Sequence, residues 1–278
     1  MMLTAETAPH LELDQWVRTT VSRATDLNRE NIYALIDLAQ SPYPILNSLQ
    51  CHVAVPPYTL LLDDTPHQDI AGFGPVLIQI GTQQPLQQQL LIDLLYAIEG
   101  EPRLMLLIPA RDYLKTQLIK TLRRSIQVEC GQGGEKTLLL RYYDPRCFMA
   151  LLNTLEDAAL KLLLAPVQEW HWLNRDGQPS RLQQPDHIGA LPDWPHPVLH
   201  LSEQAICHLS AWHQAELWRQ DYHLTPADLN LNNQEALMEL LVTAQLAADK
   251  QNQLSQPERV AFIQHYLAMT VGTPRQSS

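Results

Sequence analysis

Between Asn31 and Leu164, short apolar runs alternate with amphipathic stretches, and proline or glycine punctuates nearly every junction. No other feature constrains this chain as strongly. Runs this short read as buried strands, and stretches with apolar residues three or four apart read as helices. The strand expectations are Asn31–Gln40, Tyr58–Leu62, Val76–Ile80 after Gly74-Pro75, Arg103–Ile108 and Thr137–Tyr143. Helices are expected from Pro85 to about Ile98, over 111–124, and from Asp144-Pro145 to about Leu164; proline at the first turn suits helix entry. An earlier helix over 10–26 carries Leu13, Trp16, Val17 and Val21 at helical spacing. Prolines at 42, 44, 56 and 57 exclude a long helix between the first two strands. The alternation predicts a mixed lobe of strands and helices.

The pattern changes after Pro166. Val167 to Gly177 reads as a strand entering an Asp176-Gly177 turn, which fits a hairpin. Prolines 179, 185, 192, 195 and 197 then mark a linker. Beyond it the periodicity is helical. Ser202 caps a helix to about Tyr222, with Ile206, Leu209, His213 and Leu217 near one face. Thr225-Pro226 opens another. Leu237, Leu240, Leu241, Ala244 and Ala248 form an apolar stripe, and Ser255 with Glu258 makes a capping box. The expected class is α+β: a mixed α/β N-terminal lobe with a small sheet over 1–178, a proline-rich linker over 179–200, an all-helical C-terminal lobe over 201–272, and a disordered tail over 273–278.

Charge excludes several functions. Lys and Arg total 19 against 30 Asp and Glu, a net charge of −11. That disfavours nucleic acid, which requires a basic footprint, and an anionic membrane surface. The N-terminus has neither the basic nor the apolar part of a secretory signal, and no run approaches the length of a membrane span, so a cytoplasmic location is expected. The four cysteines are far apart and form no CxxC pair, which suits free thiols in a reducing compartment. The charge is uneven: residues 103–146 carry 9 bases and 4 acids, whereas 1–102 carry 3 bases and 12 acids. The basic segment either pairs with the protein's own acidic part or docks an acidic partner.

No catalytic signature is present: no G-x-S-x-G, P-loop, HExxH or GxGxxG. Gly131, Gly133 and Gly134 lack the following Lys-Ser/Thr of a phosphate cradle and read as a flexible turn. Cys207, His208, His213 and His223 are not spaced to share a helix face, so no metal site is expected. Asp63, Asp64 and Asp69 read as turn formers. No cofactor is called for.

The most distinctive segment is Leu138-Leu-Leu-Arg-Tyr-Tyr-Asp-Pro-Arg146. Its apolar run ends at Asp144, which can cap a helix starting at Pro145. Arg141 and Arg146 flank the corner, and one of them suits a bidentate pair with Asp144 or with an acid of the first strand such as Asp37. The expectation is a structural motif of Arg141, Asp144, Pro145 and Arg146; a catalytic Asp144–Arg146 pair is the alternative.

Arg141–Arg146 resembles the "FRYYDPR" signature of the type VI secretion effector adaptor-chaperone family (Tap/TEC). Tyr33–Gln40 resembles that family's "YALLDGAQ", Gly74–Leu77 its "GPYLV", and Leu164–Val167 with Trp170 its "FGPI…W", in the same order. Leu38 stands where the family often has Gly, Leu164-Ala165 replaces Phe-Gly, and Ile108–Ala110 lacks the usual small polar step. The resemblance implies a non-enzymatic cytoplasmic chaperone that holds a toxic effector and helps load it onto the VgrG spike, so its expected partners are these two proteins. Alternatives are an immunity protein that neutralises a toxin, or a hydrolase or transferase working at Asp144 and Arg146. Candidate partner-binding residues are Trp212, Leu217, Trp218 and Tyr222 on the helical lobe, because aromatics supply contact area at low entropy cost, and Lys115, Lys120, Arg123 and Arg124 in the basic segment.

Overall fold

The structure is a computed structural model that describes residues 6–7, 13–39, 41, 43–98, 102–111, 113–130, 136–184, 199–252 and 255–271. It divides into two compact units, residues 1–200 and 201–278. The fold is mixed α+β: sheets with helices in the first unit and helices in the second.

In chain order the first unit contains β1 (Glu6–Thr7), α1 (Leu13–Asp26), β2 (Asn31–Asp37), α2 (Ile45–Cys51), β3 (Tyr58–Leu60), β4 (Pro75–Gly81) and α3 (Pro85–Ala97). There follow β5 (Leu104–Pro109), α4 (Lys115–Ile126), β6 (Gln127–Cys130), β7 (Lys136–Leu139), α5 (Pro145–Thr154), α6 (Asp157–Leu164), β8 (Val167–Leu173) and β9 (Pro179–Gln183). β10 (Leu199–Leu201) lies at the boundary of the units. A 3-10 turn over Gln68–Phe73 leads into β4.

The main sheet has seven strands in the order β1-β9-β8-β5-β2-β4-β3, with antiparallel pairings throughout the described registers, so it is larger than the small sheet expected. β2 is an interior strand: Tyr33 lies opposite Gln79 on one side and Leu107 on the other. Side chains alternate across a strand, so Ile32, Ala34 and Ile36 of β2 join Val76, Ile78 and Ile80 of β4 and Leu106 and Ile108 of β5 beneath α1 and α3. Tyr33, Leu35, Leu77 and Leu107 point the other way and are buried too. On that face Phe148 of α5 stacks on Trp170 of β8, with ring centroids 4.9 Å apart. A sheet covered on both faces needs apolar residues at both phases, hence the unbroken apolar runs.

Several expected boundaries move. Residues 179–183 were expected in the linker but form β9, which pairs along β8 from Leu173↔Pro179 to Glu169↔Gln183. Pro179 is tolerated because it is the first residue of the strand. The N-terminal lobe therefore extends past 178. The turn lies where expected: Gly177 takes φ 70°, and Asn174 Oδ1 accepts from the amides of Asp176 and Gln178. Strand β7 stops at Leu139, short of the expected Tyr143, and the single helix expected to Leu164 is two, interrupted at Leu155 and Glu156 in extended backbone. Thr154 bonds back to the Ala150 carbonyl just before the break. The Gly131–Gly134 turn, the linker over 185–198 and the tail over 273–278 lie outside the described residues.

β6 and β7 form an antiparallel hairpin in a second sheet of order β10-β6-β7. The second unit contains α7 (Glu203–Asp221), a 3-10 turn over Pro226–Leu229, α8 (Gln234–Lys250) and α9 (Gln256–Val271). Its helix starts are set by local side chains: Ser202 and Asn233 accept from the amides three residues on. Its core joins Ala215, Trp218, Leu237, Leu241, Ala244, Ala248 and Ile263.

Candidate functional site

The corner after β7 brings the turn before α5 against the last residue of β2. Asp144 ends the turn and caps α5: its Oδ1 accepts from the Arg146 amide at 3.0 Å. The Arg146 guanidinium then forks onto the same carboxylate, Nε to Oδ1 and Nη2 to Oδ2, each at 2.9 Å. Asp37, the last residue of β2, is 1% exposed and Asp144 2%. Arg141 lies between them, with Nη2 2.5 Å from Asp37 Oδ2 and 3.3 Å from Asp144 Oδ2. Two buried carboxylates thus meet two arginines, the arrangement that ionised groups need when removed from water. Asp37 Oδ1 also accepts from the Ala39 amide, and Arg103 donates to the Ala39 carbonyl. The corner ties the end of β2 to the start of α5.

Its titratable neighbours are poorly suited to chemistry at neutral pH. Burial first, and Asp144 second, push the Cys147 thiol up to about 12. Burial and Asp37 push the Tyr143 phenol to about 12. Burial works against the Arg141 cation, but Asp37 and Asp144 outweigh it and raise its pKa. The site holds its charges fixed and presents a partly exposed Arg141, whose side chain is 43% accessible.

A second buried polar cluster was not anticipated. Glu169 of β8 is fully buried, 2.8 Å from Nη2 of Arg23 on α1 and 3.1 Å from His171 Nε2. Burial alone would raise the Glu169 pKa, but the bonds from His171 and Arg23 prevail and hold it at about 2. Burial lowers the His171 pKa, against the opposing pull of Glu169. The available signal was the polar pair Glu169 and His171 alternating with Trp170 and Trp172 along one strand. The cluster anchors α1 to β8.

The proposed partner-binding residues separate. Trp218 is 7% exposed and belongs to the helical core, so it is corrected from a surface contact to a core residue. Tyr222 stacks on it at 4.5 Å and remains exposed, as does Leu217. Trp212 is half-buried against the same core. The expected α7 face of Ile206, Leu209, His213 and Leu217 is rotated from the true one of Ala211, Ala215 and Trp218. In the basic segment Lys115, Lys120 and Arg124 are exposed, whereas Arg123 turns inward to Asp64 at 3.2 Å and the Leu60 carbonyl.

None of the four cysteines forms a disulfide. Among the described residues no group of three or more His, Cys, Asp or Glu side chains is placed to hold a metal ion, and no helix is long and apolar enough to cross a membrane. An open cleft of about 620 Å³ lies by Asn28, Arg29, Glu30, Thr82 and Gln84, apart from the residues discussed above.

Residues 32–162 match the model of a family described as a domain of unknown function, DUF4123. A DUF4123 domain is therefore present, extending from β2 into α6 and including the whole corner. No curated protein and no solved structure matches the chain.

Proposed function

We propose that this protein is a non-enzymatic adaptor-chaperone that binds a type VI secretion effector in the cytoplasm and helps load it onto the VgrG spike. The observation that carries the reading is positional. Tyr33–Gln40, Gly74–Leu77 and Arg141–Arg146, which resemble the adaptor motifs in order, all lie within the DUF4123 match over 32–162. The corner supports it chemically, because Asp144 is occupied by Arg146, Arg141 and a backbone amide and has no adjacent activated nucleophile. Adaptor action requires binding surfaces and no nucleotide cycle.

The test is co-expression of the tagged chain with a VgrG protein and with its effector, cut into a leading segment and a toxic domain. The expected result is co-purification of the leading segment and the spike. Capture of the toxic domain alone would replace this reading with the immunity one, and capture of neither would refute both.

A further inference from the structure

Residues 61–74 connect β3 to β4, and the two ends of this loop meet: the Leu61 amide donates to the Pro75 carbonyl at 2.9 Å. Between its ends the loop folds on itself. Thr65 Oγ1 donates to the Leu62 carbonyl and accepts from the His67 amide. The amides of Gln68 and Ile70 donate to the carbonyls of Thr65 and His67. Leu61, Leu62 and Ala71 are buried beneath it. A loop closed at its base and packed on its own side chains is a preformed surface, with little ordering left to do on binding.

The outer turn of the loop sorts its side chains by chemistry. In the 3-10 turn over Gln68–Phe73, residues three apart lie in one row. The row of Gln68 and Ala71 turns inward at Ala71. Ile70 and Phe73 form the second row and are 40% and 71% exposed. Asp69 and Gly72 form the third: Asp69 is exposed, and a Cβ at Gly72 would meet nothing within 4 Å. An apolar row therefore runs beside a row whose one side chain is a carboxylate. Arg123 reaches the root of the loop but is held there by Asp64 and the Leu60 carbonyl. The chain has three phenylalanines; Phe148 and Phe262 pack into the body of the protein, and Phe73 is the one left to solvent. Three residues of 3-10 backbone rise about 6 Å, close to the ~5.4 Å pitch of an α-helix. Ile70 and Phe73 can thus seat on successive turns of a helix that presents an apolar stripe. The carboxylate beside them selects lysine or arginine flanking that stripe. We infer that the Ile70–Phe73 turn docks on a cationic amphipathic helix of a partner protein. A second copy of the chain is the poorer occupant, because both would carry the net charge of −11. This surface stands apart from the adaptor reading, since a synthetic helix suffices to test it.

The test is fluorescence anisotropy on the purified full chain. The probe is a labelled amphipathic helix of leucine and lysine, about fifteen residues long. Comparators are the leucine–glutamate helix and the leucine–lysine composition reshuffled so that it has no apolar face. The leucine–lysine helix should bind at least about tenfold tighter than either comparator at low salt and weaken as salt rises. Phe73→Ser should weaken it at least about tenfold and Ile70→Ser about threefold, as truncation of interface anchors does. Gly72→Lys puts a cation on the Asp69 row, where there is room for it, and should weaken binding about fivefold. Leu86→Ser removes an apolar side chain of α3 that is 59% exposed, and should change nothing. Unchanged binding in Phe73→Ser, or an equal loss in Leu86→Ser, overturns the inference, because the peptide would then follow net charge alone. So does equal binding of the three peptides, or a dimer of the free protein that Phe73→Ser dissociates. A failed titration beside intact client and spike capture removes the surface and leaves the adaptor reading; a titration that depends on Phe73, without client capture, does the reverse.

Discussion

Glu169 offers the sharpest test of how the first unit is held together. Its carboxylate is fully buried, and the Arg23 and His171 bonds hold its pKa at about 2 instead of 4.5. At about 1.4 kcal/mol per unit that drop corresponds to roughly 3 kcal/mol of stability. The Arg23 side chain is 36% exposed, so solvent screening reduces the figure to about 2 kcal/mol. The sign follows from the direction of the shift. A carboxylate with a depressed folded pKa contributes its full stabilisation above its unfolded pKa and loses it as pH falls towards the folded one. Glu169→Gln keeps the shape and removes the charge. It should cost about 2 kcal/mol at pH 7, and the gap to the natural protein should fall below about 1 kcal/mol by pH 3. His171 is present in both proteins and contributes its own loss as pH falls below about 6.5, so the limb below about pH 4.5 is the diagnostic one. Urea unfolding read by pulsed hydrogen exchange of the 167–173 peptide isolates β8 from the helical unit. A gap that stays constant from pH 7 to pH 3, or no gap at pH 7, would refute the reasoning.

Other perturbations separate the remaining contacts. Asp144→Ala removes both the α5 cap and the Arg146 fork and should cost about 3 kcal/mol, whereas Asp144→Asn keeps the cap and should cost about 1 kcal/mol less, by urea unfolding. Gly74→Ala would place its Cβ 2.4 Å from Leu62 Cδ1, and Leu62 is buried, so about 1–3 kcal/mol of stability should be lost. Trp218→Ala should destabilise the helical unit by about 3–5 kcal/mol, and Leu217→Ser should change its melting by no more than about 0.5 kcal/mol. Arg123→Ala should cost at most about 1 kcal/mol, because its partner Asp64 is 84% exposed.

The elements that could be read from sequence are those specified by neighbours along the chain. Asp144 and Ser202 announce helix starts because a cap acts within three residues. The runs of β2, β4 and β5 are visible because a sheet buried on both faces needs apolar residues at every position. The strand order was not visible, because pairing of β2 with both β4 and β5 is decided between distant segments. β9 was hidden by Pro179 and Pro185, which read as punctuation although the first begins a strand. β6 was too short, its only mark being the alternation of buried Val128 and Cys130. On α7 the phase was misjudged because the helix packs through Ala211 and Ala215, which carry little apolar weight but permit close approach to α8. The motif residues were legible as a corner, with Arg141 paired to Asp37 as well as Asp144, but the Glu169–Arg23 contact joins residues 146 apart and had no local signature.

The basic segment shows why charge counted along a chain is a poor guide to charge on a surface. Two destinations were open to it, the protein's own acids or an acidic partner, and its residues divide between them by chemistry. Arg123, Arg141 and Arg146 meet Asp64, Asp37 and Asp144, and Arg103 meets a carbonyl, because a planar fork can hold a fixed acceptor with little further entropy loss. Lys115 and Lys120 carry a strongly hydrated ammonium on a flexible stem and remain in solvent, with Arg124 beside them on α4. Of the inward arginines, Arg141 and Arg146 build the corner that the motif encodes. The outward cations remain on the exposed surface of α4.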